Sequence, residues 1–347
     1  MIGRRVVWLL AVMFWLLGFV VVQQHITSGK VPVAEILSFI AAQGVLVALL
    51  VERSRLSKLR EKHDAALIAL RESEAKTQAI LTALPDLMFL QDADGTWYGY
   101  YHNEVPATMC RGTTKVLPRI GAARSRDRGA TWELLGVILE APPRTYDCTT
   151  ANMYFVGGVG DFSVQLDADS QDVYFFYSLY LRSPAAQGVG VSRLAWADRD
   201  APSGKIMIWR NDAWIPAAAV GPREEQRWLY PSASPIFPAA ESWHDDDGTV
   251  DAFWGPSVHW NTYLSQYVML LSRARDGNYR TEGIYISYAA SLDHPSAWSP
   301  PVKVLNGGGW YPQVIGVEAG SGTDKVAGEW ARFYMMGTSQ HLLHFIR

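Results

Sequence analysis

From Gly95 to the C-terminus the chain has no long stretch in which apolar residues recur every three or four positions. It has short runs of Val, Ile, Tyr, Phe and Trp cut by Gly, Pro, Asp and Asn. That pattern excludes a helical bundle and leaves strands joined by turns. The runs fall into four groups, at 86–139, 161–214, 253–305 and 311–346. The second group shows the repeat best, with DFSVQLD, DVYFFYSLY, GVGVSRLAW and KIMIWRNDAW as successive strands. An inner strand, an aromatic second strand, an apolar third and a Trp-marked fourth are expected where one four-stranded unit recurs radially. Residues 215–250 supply either part of a fifth unit or a long insert.

Within the first group, Ser125-Arg126-Asp127-Arg128-Gly129-Ala130-Thr131-Trp132 matches the Asp-box pattern S-x-D-x-G-x-T-W of β-propeller blades. The spacing has a physical logic. Asp127 can accept hydrogen bonds from turn N–H groups, Gly129 can take a positive φ, and Trp132 can open the next strand and cover the hairpin. Its expected role is structural.

The N-terminal segment differs. Residues 6–22 carry no charge and residues 33–51 carry only Glu35, so each approaches the roughly 20 apolar residues that cross a hydrocarbon core. Arg4 and Arg5 precede the first segment; Arg53, Arg55, Lys58, Arg60 and Lys62 follow the second. The positive-inside rule then places both ends in the cytoplasm, which predicts a two-span inner-membrane protein with a cytoplasmic propeller. Leu56, Leu59, His63, Ala66, Leu70, Ser73, Thr77, Ile80 and Leu84 recur at spacings of 3 and 4. This fits either a homodimer seam across 56–84 or a single helix lying on another surface. The expected organisation is two transmembrane helices (1–51), a helical linker (52–84), a junction (85–97) and the propeller (98–347).

The junction admits two readings. Residues 70–74 and the run from Ala79 to Gly95, with Pro85-Asp86 before an apolar strand and Asp92-Ala93-Asp94-Gly95 after it, resemble the lead-in helix and first strand of a PAS sensor domain of membrane-bound histidine kinases, over about 45–97. The same residues also read as an inner blade strand, a turn and a second strand. No phosphoacceptor helix or ATP-binding region follows, so kinase activity is not expected.

Over 86–347 the chain resembles the five-bladed β-propeller glycoside hydrolases, the arabinanase, xylosidase and invertase-like superfamily. The resemblance implies an all-β fold, a five-bladed-type propeller in complete or shortened form. It also implies a central funnel holding an Asp base, a second Asp and a Glu acid that act on a carbohydrate. Glycoside hydrolysis requires two carboxyl groups flanking the scissile bond. Asp161, opening the second group's inner strand after Gly157-Gly158-Val159-Gly160, is the leading carboxylate, and Asp86 holds the corresponding place in the first group. In that superfamily an acidic residue commonly precedes a Gly-Pro at an inner strand. Here Trp254 precedes Gly255-Pro256, which leaves Glu104 as the alternative acid and Glu282 as a further carboxylate. His102, Asn103, Asn152, His259, Asn261, Tyr311, Gln313 and Arg332 form the expected substrate-binding set. A second reading keeps glycan binding or sensing without catalysis.

Fourteen Trp and sixteen Tyr suit both propeller packing and sugar stacking. A net charge of -3 with no basic aromatic patch argues against nucleic acid as a partner. No ligand spacing for a metal and no phosphate loop appears, so no metal or cofactor is expected. Cys110 and Cys148 are the only cysteines. Buried free thiols agree with a cytoplasmic propeller, whereas a disulfide would contradict it.

Overall fold

The computed structural model describes residues 87–347 except 168, 170, 221–226, 246–247 and 319–321. Of the first 86 residues it describes the run 49–60 and scattered positions between 15 and 63. The chain divides into two compact units, Met1–Thr77 and Gln78–Arg347. In the first unit the described residues are helical. Among the described residues no helix is long and apolar enough to cross a membrane, where about 20 consecutive apolar residues are needed. This corrects the two-span expectation and the inner-membrane placement built on it; most of 6–22 and 33–51 lies outside the described residues. Leu56 and Leu59 of the seam are exposed, and its positions from Ala66 to Leu84 lie outside the described residues.

The second unit is all-β. Its first sheet is an antiparallel meander of β1 (Leu87–Gln91), β2 (Trp97–Pro106), β3 (Val116–Ser125) and β4 (Glu133–Leu139). The second runs β5 (Val159–Leu166), β6 (Asp172–Leu179), β7 (Gly188–Ala195), β8 (Met207–Arg210) and β9 (Ala213–Pro216). A two-stranded ribbon, β10 (Ala218–Val220) and β11 (Arg227–Leu229), follows, and then β12 (Phe237–Pro238) joins the second sheet beside β7. The third sheet comprises β13 (Thr249–Asn261), β14 (Gln266–Asp276), β15 (Thr281–Ala289) and β16 (Val302–Asn306). The last comprises β17 (Gln313–Gly316), β19 (Trp330–Met335) and β20 (Thr338–His344), while β18 (Val326–Ala327) pairs in parallel with β13. Among the described residues, 215–250 hold the end of β9, the β10–β11 ribbon, β12 and the start of β13, with no further four-stranded unit.

Successive sheets pack face to face in chain order, which is the propeller-like arrangement. Tyr100, Ile120 and Ile138 of the first sheet meet Phe175, Tyr177 and Leu179 of β6. Tyr174 and Phe176, on the opposite face of β6, meet Val258, Met269 and Leu271. Val268, Leu270 and Ile284 in turn meet Val314, Ala331 and Phe333. Because β6 and β14 bury both faces, their sequences are unbroken apolar runs, not alternating ones. Each of the Val, Leu, Ile, Phe and Met side chains among these, fully buried, stabilises the fold by about 1.5–3 kcal/mol.

The junction resolves in favour of a blade strand. β1 pairs with β2 over its whole length, from Leu87 opposite Tyr101 to Gln91 opposite Trp97. The turn between them is closed by Gly95 N–H donating to Asp92 O (3.0 Å), Thr96 N–H donating to Asp94 Oδ1 (2.8 Å), and Gly95 at φ 85°. The PAS-type reading of this stretch is thereby corrected, since the Asp-x-Asp-Gly turn belongs to a propeller hairpin. The Asp-box joins β3 to β4 as its spacing predicts. Thr131 N–H donates to Asp127 Oδ1 (2.8 Å), the Ser125 hydroxyl donates to the same oxygen (2.7 Å), and Gly129 sits at φ 88° against Trp97 and Trp132.

Cys110 and Cys148 form a disulfide with Cα atoms 5.2 Å apart. The free-thiol expectation is corrected. The bond ties the β2–β3 loop to the segment before β5 and counts against a cytoplasmic propeller, because disulfides persist in oxidising surroundings.

Candidate functional site

The site grows from a repeated backbone irregularity. Asp161 in β5 and Gly255 in β13 each lie where the pairing register slips, and Tyr311 stands just before β17. All three are left-handed, with φ of 43°, 57° and 55°. Bulges of this kind re-aim a side chain, and a non-glycine residue with positive φ is strained. The Ser178 side chain locks two of them together: its hydroxyl donates to Asp161 O (3.4 Å) and accepts from Gly255 N–H (3.0 Å). The bulges set Gly255, not Trp254, level with Asp161. Trp254 is buried beneath, edge-on to Tyr279, Trp310 and Tyr311.

The Asp161 carboxyl is 8% exposed and receives two phenolic hydrogen bonds. Tyr180 donates to Oδ2 and Tyr311 donates to Oδ1 (3.0 Å). Burial, reinforced by the Asp161 charge, pushes the Tyr180 hydroxyl well above the usual phenol range, so it remains a donor. Tyr279 is raised for the same two reasons. Behind Asp161, the His102 ring is buried, and its Nδ1 accepts the Asp161 backbone N–H at 3.3 Å. Glu104, two residues on along β2 and so on the same face, holds Oε1 3.8 Å from His102 Nε2 and is mostly exposed.

Asp161 opens onto a cleft of about 410 Å³ lined by Trp310, Tyr311, Gln313, Asp324 and Lys325 together with the Gly255–Ser257 backbone. Lys325 and Asp324 pair at 3.3 Å. Burial pulls the Lys325 ammonium below the usual lysine range, against the opposing pull of Asp324. The cleft thus offers aromatic surface beside a carboxylate, an amide and an ammonium, a combination that can bind a polyhydroxylated ligand. Among the described residues no cluster of three or more His, Cys, Asp or Glu is placed to hold a metal ion.

Of the residues expected from sequence, Asp161, Tyr311 and Gln313 line the cleft, and His102 and Glu104 stand behind Asp161. The others have different surroundings. Asn152 is buried and caps its own loop, accepting from Tyr154 and Phe155 N–H. His259 and Asn261 are fully buried, and Asn261 bonds Gly328 O and Leu264 N–H. Asn103 points to the opposite face of β2 from His102, Arg332 is exposed on β19, and Glu282 is paired with Lys303 and Tyr285. Asp86 lies outside the described residues. Tyr180, Ser178, Trp310 and the Asp324–Lys325 pair were not foreseen. Alternation along DVYFFYSLY places Ser178 and Tyr180 on one face, yet both faces of that strand are apolar and buried, which hides the signal.

Fold and site together define a propeller-like all-β chain with a polar, aromatic-lined cleft centred on one buried carboxylate. No known family's sequence profile matches the chain, and none of the curated proteins matches it. Among solved structures it is similar to a thermostable family-43 glycoside hydrolase, with 12% identity, TM-score 0.40, and coverage of 74% of this chain and 67% of that one. It is similar also to an α-L-arabinofuranosidase from Fusarium graminearum solved with an iminosugar inhibitor, with 11% identity, TM-score 0.37, and coverage of 70% and 54%. A third is a β-fructofuranosidase from Schwanniomyces occidentalis complexed with fructosyl-erythritol, with 14% identity, TM-score 0.37, and coverage of 72% and 38%. The chain thus spans about half or less of the length of the last two. Likeness at this level assigns no activity.

Proposed function

We propose that the cleft over Asp161 binds a carbohydrate and that Asp161 is the carboxylate acting on it, in a glycoside-hydrolase-like reaction. The observation that carries this reading is the buried Asp161 carboxyl, presented to an aromatic-lined cleft and accepting the hydroxyls of Tyr180 and Tyr311. Trp310 and Tyr311 offer faces to the C–H surface of a sugar ring, while Gln313 and Lys325 offer donors to its hydroxyls. In that arrangement Asp161 takes a proton from water or a sugar hydroxyl as general base. The acid partner is the less developed half of the site. Glu104 stands behind His102, and Asp324 is engaged by Lys325.

A second reading, binding without cleavage, is favoured by Gly255. It occupies the bulge level with Asp161 in the adjacent sheet and brings no carboxyl group. A glycan array, followed by hydrolysis assays on aryl arabinosides and xylosides, separates the two. Turnover that falls by several orders of magnitude in Asp161→Asn supports the catalytic reading. Binding without turnover supports the second. Failure of both binding and turnover contradicts the proposal.

A further inference from the structure

We propose that His102 is the positioning residue for Asp161, acting through an unprotonated Nδ1. The proposal rests on the reading that Asp161 is the working carboxylate. At the β5 bulge the ladder passes from Gly160 opposite Ser178 to Phe162 opposite Tyr177, so the Asp161 amide has no strand partner. Its acceptor is His102 Nδ1 at 3.3 Å. A peptide N–H can only donate, so Nδ1 must be the bare nitrogen and Nε2 carries the ring proton. Nε2 is buried without a hydrogen-bond partner, 3.8 Å from Glu104 Oε1.

Local sequence fits the ring to this task. A Cβ at position 160 would stand 2.7 Å from His102 Cε1 and 2.8 Å from Nε2, so only glycine there lets the imidazole lie flat on the bulge. The hydrogen bond fixes the backbone of a residue at φ 43°, and that backbone aims the carboxyl at the Tyr180 and Tyr311 hydroxyls. With Nδ1 protonated, its N–H would face Asp161 Oδ1, 3.7 Å away, and the Asp161 amide would lose its acceptor, so the bulge would lose its tether. His102 therefore serves the ligand through Asp161 and not by touching it.

Two substitutions separate this role from simple packing. His102→Asn sets an amide oxygen where Nδ1 stands and keeps an acceptor for Asp161, whereas His102→Gln reaches the Nε2 position and leaves the Asp161 amide unserved. His102→Asn should retain ligand affinity or turnover within about fivefold, and His102→Gln should lose about a hundredfold, the cost typical of a misplaced reacting group. Equal losses in both variants would overturn the proposal. Two readouts need no ligand and stand even if the carbohydrate reading fails. In the parent, imidazole ¹⁵N shifts should report a neutral ring protonated at Nε2, and Asp161 amide hydrogen exchange should be slow in the parent and in His102→Asn but fast in His102→Gln. A parent ring protonated at Nδ1, or a fast-exchanging parent Asp161 amide, refutes the inference. These parent measurements decide it alone should His102→Gln not fold.

Discussion

Asp161 occupies backbone space that costs a non-glycine residue on the order of 1 kcal/mol, and its side chain is the acceptor for two buried phenols. Removing one of those donors gives a residue-scale test. Tyr180→Phe leaves Asp161 Oδ2 buried without its partner, so it should destabilise the protein by about 1–3 kcal/mol and weaken ligand binding, as read by denaturant titration and a binding isotherm. Asp127 offers the contrast. Its carboxylate accepts from Thr131 and Ser125, and those hydrogen bonds hold it down to about 2 from the usual 3.8. The folded value is depressed, so the stabilisation is present above 3.8 and is lost as pH falls through about 2. Asp127→Asn should therefore lower the melting temperature at neutral pH, with the gap to the parent closing between 3.8 and about 2. Cleft binding should be unchanged, because the Asp-box hairpin is not among the residues that line the cleft.

At the scale of elements, what could be read in advance was what depends on nearest neighbours in sequence. The Asp-box hairpin, most of the strand runs and the turns with positive-φ glycines follow from local chemistry and appear where the pattern puts them, whereas KIMIWRNDAW, read as one strand, folds back at Asn211-Asp212 into β8 and β9. Contacts between distant segments were not legible. Asp161 was found because it follows a glycine run, while Lys325 and Asp324 reach the same cleft from a loop more than 160 residues on, in a stretch with no pattern to mark them. Asn261 and His259, at the end of β13, and Asn152, in the loop before β5, were read as binding residues at strand ends, but all three are buried. For 215–250, left open between part of a fifth unit and a long insert, short apolar runs did not show that β10 and β11 pair with each other while β12 joins β7. The disulfide belongs to this scale too. It closes a span of 38 residues, and its removal in Cys110→Ser/Cys148→Ser should cost about 4 kcal/mol. Denatured, unreduced parent should titrate no free thiol; two free thiols would contradict the bond.

For the whole molecule, stability lies in the apolar layers between successive sheets, and the polar residues buried among them include a histidine. His259 is fully buried near Phe345, with neither ring nitrogen hydrogen-bonded. Burial, aided by the Lys325 charge, pulls it to about 3 from the usual 6.5. Between those values the unfolded chain binds a proton that the folded chain does not, so stability should fall as pH drops from 6.5 towards 3. Each unit of that difference is worth about 1.4 kcal/mol. Thermal melts across this range should be steeper for the parent than for His259→Leu, and parallel curves would contradict the account. The radial order of the sheets was foreseeable from the repeated strand groups. The apolar N-terminal segments were read as spans from composition alone, and no described helix has the length such a span needs.

The proposed carbohydrate site is the cleft over Asp161. The most direct test is an isothermal titration of a glycan selected on an array into the parent, Asp161→Asn and Trp310→Ala. Trp310 forms the aromatic wall and Asp161 the polar floor of the same cleft. The account predicts saturable one-site binding by the parent and at least a tenfold loss in Trp310→Ala, corresponding to about 1.4 kcal/mol. It also predicts altered affinity in Asp161→Asn, with all three proteins melting cooperatively. Parental affinity in both variants would place the sugar elsewhere and contradict it.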